Sequence, residues 1–356
     1  MDAARERAAQ FCSRFGVRLP ILLAPMAGAS PVSLSVAVAN AGGLGACGAL
    51  LMSPSEIDQW VRQFRAQSDG AFQLNLWIPD PPAERDATHE ARVRSFLETF
   101  GPTVPYNAGD AAPPDFHAQC EALIDAAPPI VSSVMGLYPA DYVQRLRERG
   151  IRWFANVSTV GEARAAEAAG ADAVVVQGME AGGHRGCFDA AMAERQLVGL
   201  FSLLPAVVDA VRIPVVATGG IADGRGIAAA LTLGAGAAQI GTAFLRTPEA
   251  KLNPAWAEAL AHALPEDTML TRAFSGRAGR SIATRYVLAV AALDAPAPAA
   301  YPVQRGLTAT MRAHAQKAGD VHVMQAWAGQ SAAMARAEPA AQLVHEFWAS
   351  AQRLLP

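Results

Sequence analysis

The residues best suited to chemistry lie in a glycine-rich stretch at 173–188. An apolar, β-branched run ends there in a loop that carries four glycines, one glutamate and the histidine His184. Glycine permits positive φ and close approach of the backbone to a ligand, so this pattern is typical of a strand that presents a site. His184 is the candidate hydrogen-bonding or acid-base group, because imidazole changes charge near neutral pH. Taken alone, it could equally be a loop histidine that bonds backbone groups.

Two other loops combine glycine with small polar residues, at 218–223 and 239–242. Free backbone N–H groups at Gly219, Gly220 and Gly241, together with the Thr242 hydroxyl, are the donors that hold phosphate oxygens at the start of a helix. The two loops therefore indicate a phosphate site. Simple tight turns have the same composition, and the loops alone leave that alternative open.

Two side-chain amides, Asn75 and Gln177, end apolar runs elsewhere in the chain. An amide both donates and accepts, which suits the alternating carbonyl and N–H groups on the edge of a flavin ring. Ala24, Pro25 and Met26 offer a tight wall of small residues for a flat ring. Each amide, considered singly, could instead bond the backbone of a loop.

Eight short apolar runs alternate with alanine-rich helical segments, and this alternation predicts parallel strands joined by crossover helices. The predicted strands are 21–25, 45–50, 72–77, 130–135, 153–157, 173–177, 215–218 and 237–241. Eight strands of this kind predict an α/β fold, a TIM-type (β/α)8 barrel. The carboxyl ends of such strands meet at one mouth, with phosphate held after the seventh and eighth strands, so all the loops above would meet there.

The barrel is predicted in two parts, 1–78 and 130–246, the second with the phosphate site. Proline, acidic residues and polar turns are frequent at 79–129, which predicts an inserted lid. The last part, 247–356, predicts helices with a connector rich in proline and alanine at 294–302. Insertion and C-terminal region together are expected to form a mainly helical, substrate-side domain over the barrel mouth.

Composition and charge exclude several classes of protein and of binding partner. Hydrophobic residues make up 52%, charged residues 17%, and the net charge is -3, so disorder and binding to nucleic acid or an anionic membrane are not expected. The charged N-terminal segment has no apolar core of a signal peptide, which favours a cytoplasmic location. The uncharged window 226–245 divides into helix, turn and strand and is not interpreted as a membrane span. Four scattered cysteines predict neither disulfides nor a metal site.

Taken together, four motifs resemble the nitronate monooxygenase family, formerly 2-nitropropane dioxygenases. They are Pro-Met-Ala-Gly at 25–28, Gln-Gly-Met-Glu-Ala-Gly-Gly-His-Arg-Gly at 177–186, Ala-Thr-Gly-Gly-Ile at 217–221 and Gln-Ile-Gly-Thr at 239–242. The Glu-Ala-Gly-Gly-His element is shared with the FMN-dependent enoyl-ACP reductases of the same superfamily. Tyr-Pro-Val-Gln-Arg at 301–305 and Trp-Ala-Gly-Gln at 327–330 resemble the monooxygenases and favour them.

The resemblance implies FMN as the cofactor and His184 as the active-site histidine. Residue chemistry and resemblance together give the candidate cofactor contacts Ala24, Pro25, Met26, Asn75, Gln177, Gly182, Gly183, Gly219, Gly220, Gln239, Ile240, Gly241 and Thr242. Tyr301 and Arg305 are candidate substrate contacts. The family pattern has a lysine where this chain has Arg305, and the two cations differ in shape and donor geometry.

The expected reaction is FMN-dependent oxidative denitrification of alkyl nitronates, such as propionate 3-nitronate, with O2. His184 would stabilise the nitronate or remove a proton from a neutral nitroalkane. One alternative is an NAD(P)H-dependent enoyl-thioester reductase, although no dinucleotide-binding G-x-G-x-x-G follows an early strand. A second alternative is a flavin-binding protein without catalysis. The expected partners are a small nitronate or nitroalkane and O2, and a homodimer is left open.

Overall fold

A computed structural model describes residues 3–355. The first two residues and the last, which the predicted segments 1–78 and 247–356 include, lie outside the described residues. The strands are β1 (Ile21–Leu23), β2 (Gly45–Gly48), β3 (Phe72–Trp77), β4 (Ile130–Val134), β5 (Arg152–Val157), β6 (Ala173–Gln177), β7 (Gly183–His184), β8 (Val215–Thr218), β9 (Ala237–Ile240), β10 (Thr268–Thr271) and β11 (Gly279–Ile282). The α-helices are α1 (Ala3–Phe15), α2 (Val32–Asn40), α3 (Pro54–Arg65), α4 (Ala87–Leu97), α5 (Phe116–Ala126), α6 (Ala140–Glu148), α7 (Val160–Ala169), α8 (Leu200–Val208), α9 (Gly224–Thr232), α10 (Pro254–His262), α11 (Arg285–Val290), α12 (Val303–Leu307), α13 (Ala309–Ala318) and α14 (Ala340–Leu354).

Eight parallel strands form a barrel in the order β1-β9-β8-β6-β5-β4-β3-β2. Leu44 closes the ring between β1 and β2: its N–H donates to the Ile21 carbonyl at 3.0 Å, and its carbonyl accepts from the Leu23 N–H at 2.9 Å. Each predicted strand is confirmed, with ends that differ by two residues at most. The TIM-type (β/α)8 fold is therefore confirmed.

The outer helices follow from their apolar spacing and their caps. In α3, Ile57, Trp60, Val61 and Phe64 are buried, and this i, i+3, i+4, i+7 spacing forms one face against the barrel. Ser53, just before Pro54, and Glu56, two residues after it, form a capping box that fixes where that helix begins. At the other end of the chain, α14 packs against α9 and α2, so the terminal helix returns to the barrel.

A second hydrophobic cluster, separate from the barrel core, lies in the C-terminal region and the segment after β3. It includes Leu97, Phe274, Tyr286, Leu307 and Met311. The division into a lid at 79–129 and a C-terminal region stays a prediction. Within 79–129, α4 contacts α12 of the C-terminal region, whereas α5 contacts the barrel helices α3 and α6.

A small antiparallel sheet has the order β10-β11-β7 and was not predicted from the sequence. It joins the C-terminal hairpin to the glycine loop, because Gly279 pairs with His184 and Arg280 with Gly183. A two-residue strand has no detectable periodicity, which explains why the pattern analysis missed it. This pairing fixes the backbone position of His184. Among residues 3–355, no helix is both long and apolar enough to cross a membrane.

Candidate functional site

A cavity of about 610 Å³ opens at the carboxyl ends of the barrel strands. Every predicted site residue except Ile240 lines it: Ala24, Pro25, Met26, Asn75, Gln177, Gly182, Gly183, His184, Gly219, Gly220, Gln239, Gly241, Thr242, Tyr301 and Arg305. Ile240 instead packs its side chain in the barrel core, and its carbonyl accepts the Ala24 N–H at 2.9 Å. The geometry does not support a cofactor contact by the Ile240 side chain.

One end of the cavity is a cradle of backbone N–H groups, formed by Gly219, Gly220 and Gly241. Within the described residues none of these three groups donates to a protein acceptor. Gly219 and Gly220 have φ of 110° and 69°, in the left-handed region that favours glycine. An N–H group without a protein partner must donate to water or to a ligand, and these three belong to residues that line the cavity. The cradle is thus suited to an anion such as a phosphate.

The C-terminal segment closes over this cradle. Thr242 Oγ accepts the Gly329 N–H at 3.0 Å, and Ser331 Oγ donates to the Gly220 carbonyl at 2.7 Å. A Cβ at Gly182 would lie 2.4 Å from the Gly329 nitrogen, so only glycine permits this approach of the two loops. Two loops far apart in sequence therefore form one wall.

Both predicted amides already have protein partners. Asn75 Nδ2 donates to Ser132 Oγ at 3.0 Å. Gln177 Nε2 donates to the His184 carbonyl at 3.0 Å, while its Oε1 accepts from Gly186 N–H at 2.8 Å and from Arg185 at 3.2 Å. Gln177 therefore holds the glycine loop in shape, as the backbone-bonding alternative foresaw, and still lines the cavity.

Further polar residues at the cavity were missed by the sequence analysis. Gln73 Nε2 donates to Gln239 Oε1 at 3.0 Å, and both side chains are buried. Gln73 Oε1 and Asn156 Oδ1 are buried without a protein partner among the described residues. A signal was available, because Gln73 precedes Asn75 by two positions in one strand and so shares its face. The two orphaned oxygens are acceptors that a bound ligand could satisfy.

His184 lies in an aromatic and polar niche on the cavity wall. Its Nε2 is 2.7 Å from Ser275 Oγ, and its ring centroid lies 4.6 Å from that of Trp77 and 4.8 Å from that of Trp327. Burial, reinforced by the positive charges of Arg277 and Arg305, lowers the pKa of His184 to about 3. The imidazole is therefore neutral at pH 7, a state that sequence reasoning could not assign.

The part of the cavity around His184 is cationic. Arg305 and Arg312 line it, and among the described residues no aspartate or glutamate does. Arg312 is held by Thr308 Oγ, Gln325 Oε1 and the Arg305 carbonyl, at 3.1, 3.2 and 2.9 Å. The Arg305 guanidinium donates to no protein acceptor in residues 3–355, and the Tyr301 hydroxyl is buried without a partner there. These free donors suit an anion.

Comparisons with known proteins point to the family that the sequence motifs resemble. The nitronate monooxygenase family matches residues 10–349. The chain is 40% identical over 338 residues to a nitronate monooxygenase of Paraburkholderia phytofirmans, covering 92% of this chain and 91% of the relative. It is 33% identical to a probable nitronate monooxygenase of Staphylococcus aureus strain MSSA476, covering 92% and 93%.

Solved structures are also similar. A nitroalkane oxidase from Streptomyces ansochromogenes superposes with a TM-score of 0.86 at 39% identity, covering 96% of this chain and 98% of that one. FabK from Thermotoga maritima superposes with a TM-score of 0.76 at 28% identity, covering 97% and 96%.

Proposed function

The chain belongs to the nitronate monooxygenase family, and we propose that it oxidises alkyl nitronates such as propionate 3-nitronate, using bound FMN and O2. Family membership makes the chain an oxidoreductase of nitronate or nitroalkane metabolism, with a flavin as the family's cofactor. One observation supports FMN and a nitronate as ligands: the N–H cradle and the carboxylate-free end with His184 and Arg305 line a single cavity. A phosphorylated cofactor and a small anion would each find complementary groups there.

The residues present fit FMN. Gly219, Gly220 and Gly241 would hold its phosphate through unpaired N–H groups, in the loops where parallel barrels bind phosphate. The orphaned Gln73 Oε1 and Asn156 Oδ1 need a donor, and the ring of a flavin offers an N–H. When bound, FMN supplies the electron acceptor for the nitronate and the reductant for O2.

The substrate's anionic group would be bound by Arg305 and Tyr301. Arg305 offers a planar fork of free donors. Burial lowers the pKa of Arg305, but the ordinary pKa of arginine lies so far above neutral pH that the guanidinium stays charged. The Tyr301 hydroxyl is a second unpaired donor. A nitronate carries its charge on two oxygens, so a forked donor matches it better than the compact ammonium of lysine would.

His184 would act as a neutral imidazole, and the option of a cationic His184 is disfavoured by its lowered pKa. Since Nε2 contacts Ser275, Nδ1 is the ring nitrogen without a protein partner among residues 3–355. With a neutral nitroalkane, Nδ1 would accept the proton from the carbon that bears the nitro group, which leaves the nitronate anion beside Arg305. With a preformed nitronate, no proton has to move and His184 only positions the anion.

The test combines cofactor identification with oxygen consumption. We expect heat-denatured protein to release FMN, identified by chromatography, and the holoenzyme to consume O2 with propionate 3-nitronate. His184→Asn should retain FMN and lose at least about a hundredfold in kcat/KM on neutral nitroalkanes, the usual scale for a lost general base. Full activity of that variant on nitroalkanes would refute the assigned role.

The structural similarity to FabK keeps an enoyl-thioester reductase as the second candidate. It predicts NADH oxidation that depends on an enoyl thioester and no O2 uptake with nitronates. A flavin-binding protein without catalysis predicts neither reaction. The cytoplasmic location and a homodimer stay predictions.

A further inference from the structure

A second cavity of about 210 Å³ lies beside the first. The two cavities share Leu50, Trp77 and Tyr301 as lining residues, so the same side chains form the partition between them. The Trp77 ring lies 4.6 Å from the His184 ring and 5.5 Å from the Tyr301 ring, between centroids. A substrate held at His184 would therefore have this side cavity one ring away.

The wall of the side cavity is almost wholly apolar, with six prolines, Ala83 and Phe116 among its residues. Its amide and its carboxylate are already engaged, whereas the Tyr301 hydroxyl, which it shares with the main cavity, has no partner among the described residues. Gln119 Nε2 donates to three backbone carbonyls, at 3.0, 3.2 and 2.8 Å. The Asp80 carboxylate is paired with Arg277 at 3.1 Å. Among the described residues no lysine or arginine lines the side cavity, so it offers an anion no cationic partner.

We propose that the side cavity binds the unbranched alkyl chain of the substrate, which makes longer n-alkyl nitronates and nitroalkanes better substrates than short ones. The proposal rests on the proposed function for the reacting group at His184. A second carboxylate, as in propionate 3-nitronate, would stay in the main cavity near Arg305, because no cation lines the side cavity. The Trp77 and Tyr301 rings would move apart to admit the chain.

The expected effect follows from burial of methylene groups. Each methylene that leaves water contributes about 0.8 kcal/mol, which is roughly a fourfold gain in affinity or in kcat/KM. Between ethyl and hexyl nitronate, kcat/KM should therefore rise roughly fourfold per carbon until the side cavity is full. The dissociation constants of straight-chain alkanoates, unreactive planar anions, should fall by the same factor per carbon in calorimetric titrations of the holoenzyme.

Two opposite variants and a matched control make the test specific. Ala83→Phe fills the side cavity and should flatten the chain-length dependence, whereas Phe116→Ala enlarges it and should extend the rise to longer chains. Ala91→Phe makes the same change at an exposed position of α4 that lines neither cavity, and should behave as wild type.

A flat series in the wild type overturns the proposal, and so does a rising series that neither cavity variant alters. Failure of the proposed function is distinguishable, because it would abolish turnover of ethyl nitronate while the alkanoate titrations still report on the cavity. If Ala83→Phe fails to fold, the extension in Phe116→Ala decides the matter by itself.

Discussion

The lowered pKa of His184 predicts a specific dependence of stability on pH. An unfolded histidine has a pKa near 6.5, while folded His184 has a pKa of about 3. Between these values the unfolded chain binds a proton that the folded chain does not, so stability is fully present above pH 6.5 and is lost as pH falls. At pH 5 this loss is 1.5 units at about 1.4 kcal/mol each, or about 2 kcal/mol at most.

The assay is urea unfolding of the wild type and of His184→Gln, each at about pH 7.5 and about pH 5. Other titrating groups are common to both proteins and cancel in the comparison, so the wild type should lose up to about 2 kcal/mol more than the variant. The glutamine keeps a polar side chain near Ser275 but does not titrate. Equal losses in the two proteins would mean that folded His184 protonates as freely as an unfolded histidine, which contradicts a lowered pKa.

Three substitutions test the parts of the site separately. Gly220→Ala should weaken FMN binding at least tenfold in fluorescence titration, because the Gly220 N–H belongs to the cradle and its φ of 69° disfavours alanine. Gly16→Ala is the matched control, since Gly16 also has a φ of 69° but has open space around it. This control should leave the FMN affinity unchanged. Ser275→Ala removes the 2.7 Å contact with His184 and should lower kcat on nitroalkanes about tenfold, with little change in KM. Ser275→Thr should restore kcat. An unchanged kcat in Ser275→Ala would contradict a positioning role. Arg305→Met should raise KM for nitronates by roughly ten- to a hundredfold, with Arg305→Lys in between, as a lost charged hydrogen bond predicts; equal KM values would place the anion elsewhere.

The barrel could be predicted because its information is local. An apolar run such as the four residues 173–176 indicates a strand buried on both faces, and glycine soon after it indicates the loop. The small sheet could not be predicted, because Gly183 and His184 have no periodicity and their partners Gly279 and Arg280 lie almost a hundred residues away. Pairing at that separation depends on tertiary packing, which no window of sequence reports.

The candidate site divides in the same way. His184 and the glycine loops were found from residue type and spacing, and strand order brought them to one mouth. Ser275 and Trp327 were not linked to His184, since contacts between loops depend on how the C-terminal region folds over the barrel. The pKa of His184 was beyond sequence reasoning too, because it depends on burial and on Arg277 and Arg305 in space.

In the proposed reaction a nitronate transfers electrons to bound FMN in the cavity lined by His184. This transfer is measured by anaerobic mixing of the purified holoenzyme with propionate 3-nitronate, followed by flavin absorbance. We predict that the nitronate bleaches the flavin absorbance and that NADH in a parallel mixture does not. Bleaching by NADH with no response to the nitronate would contradict nitronate oxidation and favour the enoyl-thioester reductase.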